Sequence, residues 1–155
     1  MPMSTGMKRD GTLDVDTLLS MSARELDELF TRSPAGGMPD GEYDGTAITA
    51  PGTEFAEIAA KITHLLAWKG KVFNAERGVL ENRVTPFDLH AVVATVYRAA
   101  SWFDNRECIV LDYSETSLIA HWIRDEIREV ADGLYLGLVY WQRTRILYFT
   151  LKAQT

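Results

Sequence analysis

The sequence predicts a mainly β (α+β) domain, an antiparallel barrel of about eight strands with two helices in its amino-terminal part. Three observations lead there. Short runs rich in Val, Ile, Tyr and Thr recur from Trp68 to the carboxyl end, helical periodicity is confined to the first 66 residues, and tight-turn signals separate the runs. Strands in that number must close on themselves or stack as two sheets.

Taken in order, residues 1–12 are polar and read as a disordered tail, leaving 13–155 as one domain. Leu13 to Phe30 reads as the first helix, with Ser22-Ala23-Arg24-Glu25 as a capping box and Leu26, Leu29 and Phe30 as its apolar stripe. The Pro/Gly-rich run from Ser33 to Gly41 breaks it, and Glu42 to Thr49 alternates as a first strand. Thr53 caps a second helix whose stripe is Phe55, Ile58, Ile62, Leu65 and Leu66, read as a plug against one barrel opening. Strands then follow at Lys69–Asn74, Val79–Thr85, His90–Tyr97, Cys108–Tyr113, Arg124–Ala131, Leu134–Trp141 and Arg145–Lys152, with one helical turn over Glu115–His121.

Asp132-Gly133 is a two-residue hairpin signal. With Ala131 opposite Leu134, Ile127 meets Leu138 and Asp125 meets Tyr140. A second turn at Arg143-Thr144 sets Leu138 opposite Phe149. Period-two alternation then gives an inner face of Asp125, Ile127, Glu129, Leu136, Leu138, Tyr140, Leu147, Phe149 and Leu151, and an outer face that includes an exposed Arg128. An inward Asp125 is costly unless paired, so it is either a satisfied core aspartate or a polar anchor with a raised pKa.

Composition narrows function. The net charge is −6 with no basic stripe, which argues against nucleic acid as a partner. The longest apolar run is too short for a spanning helix and the amino end has no secretory h-region, so a cytoplasmic protein with no membrane partner is expected. The single Cys108 cannot form an intramolecular disulfide and reads as packing. His64, His90 and His121 lack metal-ligand spacing, no nucleophile elbow surrounds Ser114, and no phosphate-binding glycine pattern follows a strand, so neither a metal nor another cofactor is expected.

The segment His64-Leu65-Leu66-Ala67-Trp68-Lys69-Gly70-Lys71-Val72-Phe73 resembles the Leu-x-Trp-Tyr-Gly-Lys-x-Phe stretch of the lipocalin-like GXWXG family. Gly41-Glu42-Tyr43-Asp44-Gly45 is similar to that family's name motif, with tyrosine in place of tryptophan. Ile123 to Val130 followed by Leu136-Gly137-Leu138 is similar to the strand pair of its companion domain. The resemblance implies a calycin-type barrel around a small hydrophobic molecule and implies no particular reaction.

Two functional readings stand at this point. The first is binding of a small hydrophobic or aromatic molecule in the lumen, lined by Tyr43, Trp68, Tyr97, Ile127, Leu138 and Phe149. The alternative is a small enzyme, an isomerase, cyclase or lyase of a secondary metabolite, with Asp125 and either Tyr140 or His90 transferring protons. A homodimer is left open.

Overall fold

The computed structural model describes residues 13–48, 71–82, 92–115 and 122–154. Two short helices precede the sheet, α1 (Val15–Leu19) and α2 (Ala23–Arg32). The strands are β1 (Gly41–Ile48), β2 (Lys71–Asn74), β3 (Val79–Asn82), β4 (Val92–Ala100), β5 (Glu107–Asp112), β6 (Ile123–Ala131), β7 (Leu134–Trp141) and β8 (Thr144–Ala153). Each pairs antiparallel with the next, and β8 returns to β1, closing the barrel. The helix expected over residues 53–66 lies outside the described residues, as does all but Glu115 of the helical turn expected over Glu115–His121.

The helix expected to run unbroken from Leu13 to Phe30 is two helices. Asp14 caps α1 by accepting the Thr17 amide at 2.8 Å. Ser22 opens α2 as a full capping box with Glu25, and a cap residue with extended backbone cannot sit inside a continuous helix.

The closed sheet has two apolar sides. Tyr43, Phe73, Val96, Leu111, Ile127, Tyr135, Val139 and Phe149 belong to the cluster that fills the lumen. A second cluster joins Leu18, Leu26, Leu29 and Phe30 of the helices to Leu134, Leu136, Leu138 and Tyr148 on the outside of β7 and β8. Arg145 anchors this layer with a 2.9 Å ion pair to Asp27, whose carboxylate also accepts the Tyr148 hydroxyl at 2.7 Å.

The expected faces of β7 are therefore reversed. Ile127 pairs with Gly137 rather than Leu138, and Asp125 with Val139 rather than Tyr140, because the register shifts between Glu129 and Ala131. The turn into β8 is Gln142-Arg143, not Arg143-Thr144, and a second shift follows between Val139 and Tyr140. An odd residue in one strand moves every later side chain of its partner to the other face. Leu136, Leu138 and Tyr140 consequently point out, while Tyr135 and Val139 point in. Both residues of the Gln142-Arg143 turn have positive φ, 51° and 77°, as a primed hairpin turn requires; at Asp132-Gly133 only Gly133 does, at 70°.

Arg128, expected in solvent, is fully buried. Its guanidinium donates to both Asp104 carboxylate oxygens at 2.6 and 2.7 Å and to the carbonyls of Phe30, Glu107 and Arg106. It also stacks 4.3 Å from the Phe30 ring. This one side chain ties the end of α2 to the β4–β5 turn.

Candidate functional site

Even-numbered strands all begin at the same end of the barrel, and two of them bring a charge into the lumen there. Lys71 starts β2 opposite Tyr43, and alternation puts it on the same face as Phe73. Asp125 is the third residue of β6, between Leu111 of β5 and Val139 of β7. Lys71 is 1% exposed and Asp125 is 0% exposed. Tyr113, just past β5, is buried in the same cluster.

Burial dominates the protonation of both. Desolvation pushes the Asp125 carboxyl up to about 7 against the opposing pull of the Lys71 charge and the Tyr113 hydroxyl. The same desolvation brings the Lys71 ammonium down to about 8, with Asp125 opposing it. Tyr113 favours the carboxylate without closing a bond of normal geometry, since neither Asp125 oxygen has a hydrogen-bond partner. Among the described residues, a largely apolar lumen thus holds an acid and a base that burial shifts toward their neutral forms.

The opposite end is covered by the chain between α2 and β1. Ala35 and Met38 pack on the lumen cluster. Glu129 Oε1 accepts the Gly37 amide at 3.0 Å, Arg98 donates to the Gly36 carbonyl at 2.7 Å, and the Tyr135 hydroxyl donates to the Gly37 carbonyl. Glu129 is thus a strap for this segment.

The residues expected to act are distributed unevenly over this frame. Asp125, Tyr43, Ile127 and Phe149 face the lumen. Tyr140 does not reach Asp125; it lies outside, edge-on to Trp102 at 5.1 Å, and burial pushes its hydroxyl up to about 12. Leu138 is buried beneath the helices. Tyr97 also lies on the outer side, donating its hydroxyl to Asp112 at 2.7 Å. Trp68 and His90 lie outside the described residues. Cys108 is buried, and desolvation raises its thiol to about 12, so it stays protonated.

Among the described residues, Lys71 and Tyr113 act on Asp125 where Tyr140 was expected to. Lysine at a strand start reads as a solvated end, and the signal against that was the alternation Lys71, Phe73, which places an ammonium on an apolar face. Among the described residues no three His, Cys, Asp or Glu side chains gather as a metal site would need, and no helix is long and apolar enough to cross a membrane. A groove of about 300 Å³ opens outside the barrel between Trp102, Trp122, Arg124 and Arg143. Both guanidiniums lie 4.2 Å from the Trp102 ring. Ile123 lines this groove and also belongs to the lumen cluster.

No protein-family model matches the chain, and no curated protein matches its sequence. A crystal structure of a protein from Thermomonospora curvata is similar in fold, with a TM-score of 0.57 and 19% identity over 87% of this chain and 89% of that one. At that identity the likeness shows the fold alone.

Proposed function

We propose that the barrel binds a small molecule with an apolar or aromatic body, and that Lys71 and Asp125 hold its polar head. The observation that carries this reading is Asp125, a fully buried carboxyl whose two oxygens both lack a hydrogen-bond partner. Leaving such a group unsatisfied costs about 1–3 kcal/mol, and a ligand that donates to it recovers that cost on binding. Eight strands enclose a lumen wide enough for side chains or one small ligand. Tyr43, Ile127 and Phe149 supply the apolar wall, and the resemblance to calycin-type barrels points the same way. A head group with a donor for Asp125 and an acceptor for Lys71 fits best.

The test uses 1-aminoanthracene, a fluorescent apolar tricycle bearing one amine donor. Its emission should rise on mixing with the native chain, and Asp125→Leu should weaken its binding by about tenfold, the value of one charge-assisted hydrogen bond. Circular dichroism of the variant should match the native chain. Equal binding by both, or none by the native chain, would overturn the reading.

A second reading rests on the two titrations. An acid and a base in one lumen, both shifted by burial toward their neutral forms, are suited to moving protons, the chemistry of an isomerase, cyclase or lyase. Exchange of the α-protons of 2-tetralone with deuterium, followed by NMR, should be faster with the native chain than with Asp125→Leu. Equal rates would remove it.

A further inference from the structure

Resting on the lumen reading, we infer that Lys71 is a covalent site, and that its amine condenses with an aldehyde or ketone to form an imine for which Asp125 supplies the proton and then the counter-charge. The inference starts from placement. Lys71 projects from β2 onto the apolar face of the lumen, fully shielded from water, in the electrostatic reach of one carboxyl from β6. Lysine is nucleophilic only as the free amine, and a desolvated site in a protein is where that form is reached at neutral pH. Water exclusion also favours the product, because condensation expels water from a site that holds little of it.

The atoms balance without a further reactant. The neutral pair is an amine on Lys71 and a carboxylic acid on Asp125. The amine nitrogen attacks the carbonyl carbon, and the carbonyl oxygen takes the Asp125 proton. The carbinolamine nitrogen returns one proton to Asp125, which passes it to the departing hydroxyl, and water leaves. What remains is a protonated imine at Lys71 beside the Asp125 carboxylate. The product carries one positive charge at Lys71 and one negative charge at Asp125, so net charge is unchanged from the neutral start. Two bonds from carbon to nitrogen form, two from carbon to oxygen break, and nothing is oxidised or reduced.

Asp125 fits this role by what it lacks. Neither of its oxygens has a hydrogen-bond partner, so both retain acceptor capacity. Tyr113, buried in the same lumen cluster, favours the carboxylate and so favours the ion pair of the product.

The experiment treats the native chain with 4-(dimethylamino)cinnamaldehyde, whose absorption moves to the red on forming a protonated imine, and then with sodium cyanoborohydride. Peptide mapping reads the site among the five lysines, Lys8, Lys61, Lys69, Lys71 and Lys152. Label at Lys71 should exceed that at any other lysine by at least tenfold, and Lys71→Met should abolish both the red shift and the trapped adduct. Label spread evenly, label confined to the other lysines, or none at all would overturn the inference, and mapping of the native chain decides this even where the variant fails to fold. The two readings fail separately. A native chain that binds 1-aminoanthracene but is not labelled at Lys71 loses the imine and keeps the lumen, whereas one that does neither loses both.

Discussion

A lysine and an aspartate taken out of water together are held at a cost that their mutual attraction offsets only in part. Asp125 meets that condition without the compensating bonds a buried carboxylate usually has, since neither of its oxygens has a hydrogen-bond partner. Replacing the pair together, Lys71→Met with Asp125→Leu, should therefore stabilise the fold by about 1–4 kcal/mol, while either change alone should destabilise it by leaving one buried charge. Urea unfolding at pH 7 measures all three. The pH dependence has a defined sign. Asp125 holds its proton more tightly folded than unfolded, so stability falls as pH rises from about 4 to about 7. Lys71 holds its proton less tightly folded, so stability recovers from about 8 to about 10.5. The native chain should show a stability minimum near neutrality, and the double variant should lose it. A second residue effect sits at Gly137, directly opposite Phe149, where a Cβ would come within 2.2 Å of a Phe149 ring carbon. Gly137→Ala should cost about 1–3 kcal/mol by overpacking, and Phe149→Leu in the same chain should return part of it.

At the scale of elements, the helices are held to the barrel by polar ties as well as by their leucines. Arg128 has its guanidinium donors spent on Asp104 and three carbonyls, so an ammonium cannot replace it. Arg128→Lys should destabilise by about 3–5 kcal/mol, close to the loss in Arg128→Met, as thermal or urea unfolding would show. The strands themselves, the Ser22 box and the inward Asp125 and Ile127 were legible in sequence, because each rests on local chemistry or on alternation within one strand. The facing of β7 was not. Leu134 to Tyr140 is buried without interruption, since helices cover its outer side and the lumen its inner side, and a strand apolar on both faces carries no alternation to orient it. Bulges near Val130 and Ile146 add single residues that no turn signal announces. Arg128 was read as solvated for the same reason: its partners come from a distant helix end and a distant turn, neither of which alternation can see.

At the scale of the molecule, the sheet separates two apolar sides, the lumen proposed to take a ligand and an outer face that holds the helices. Leu138 and Ile127 test that separation, being alike in chemistry, both fully buried and on opposite sides of the same sheet. Leu138→Ala should cost about 2–5 kcal/mol, because it opens a hole between β7 and the leucines of α1 and α2. Binding of 1-aminoanthracene should survive it within about twofold under conditions where the variant is folded, since no lumen atom has changed. Ile127→Phe instead enlarges a side chain one alternation from Asp125, inside the space the ligand would share. It should weaken binding by at least about tenfold, the equivalent of roughly 1.4 kcal/mol. Its effect on stability should be about 1–3 kcal/mol, no larger than that of Leu138→Ala. Unfolding curves and fluorescence titrations on the two variants supply the four numbers. If Leu138→Ala abolished binding while Ile127→Phe left it untouched, the ligand would belong under the helices, and the lumen would be only the core of the barrel.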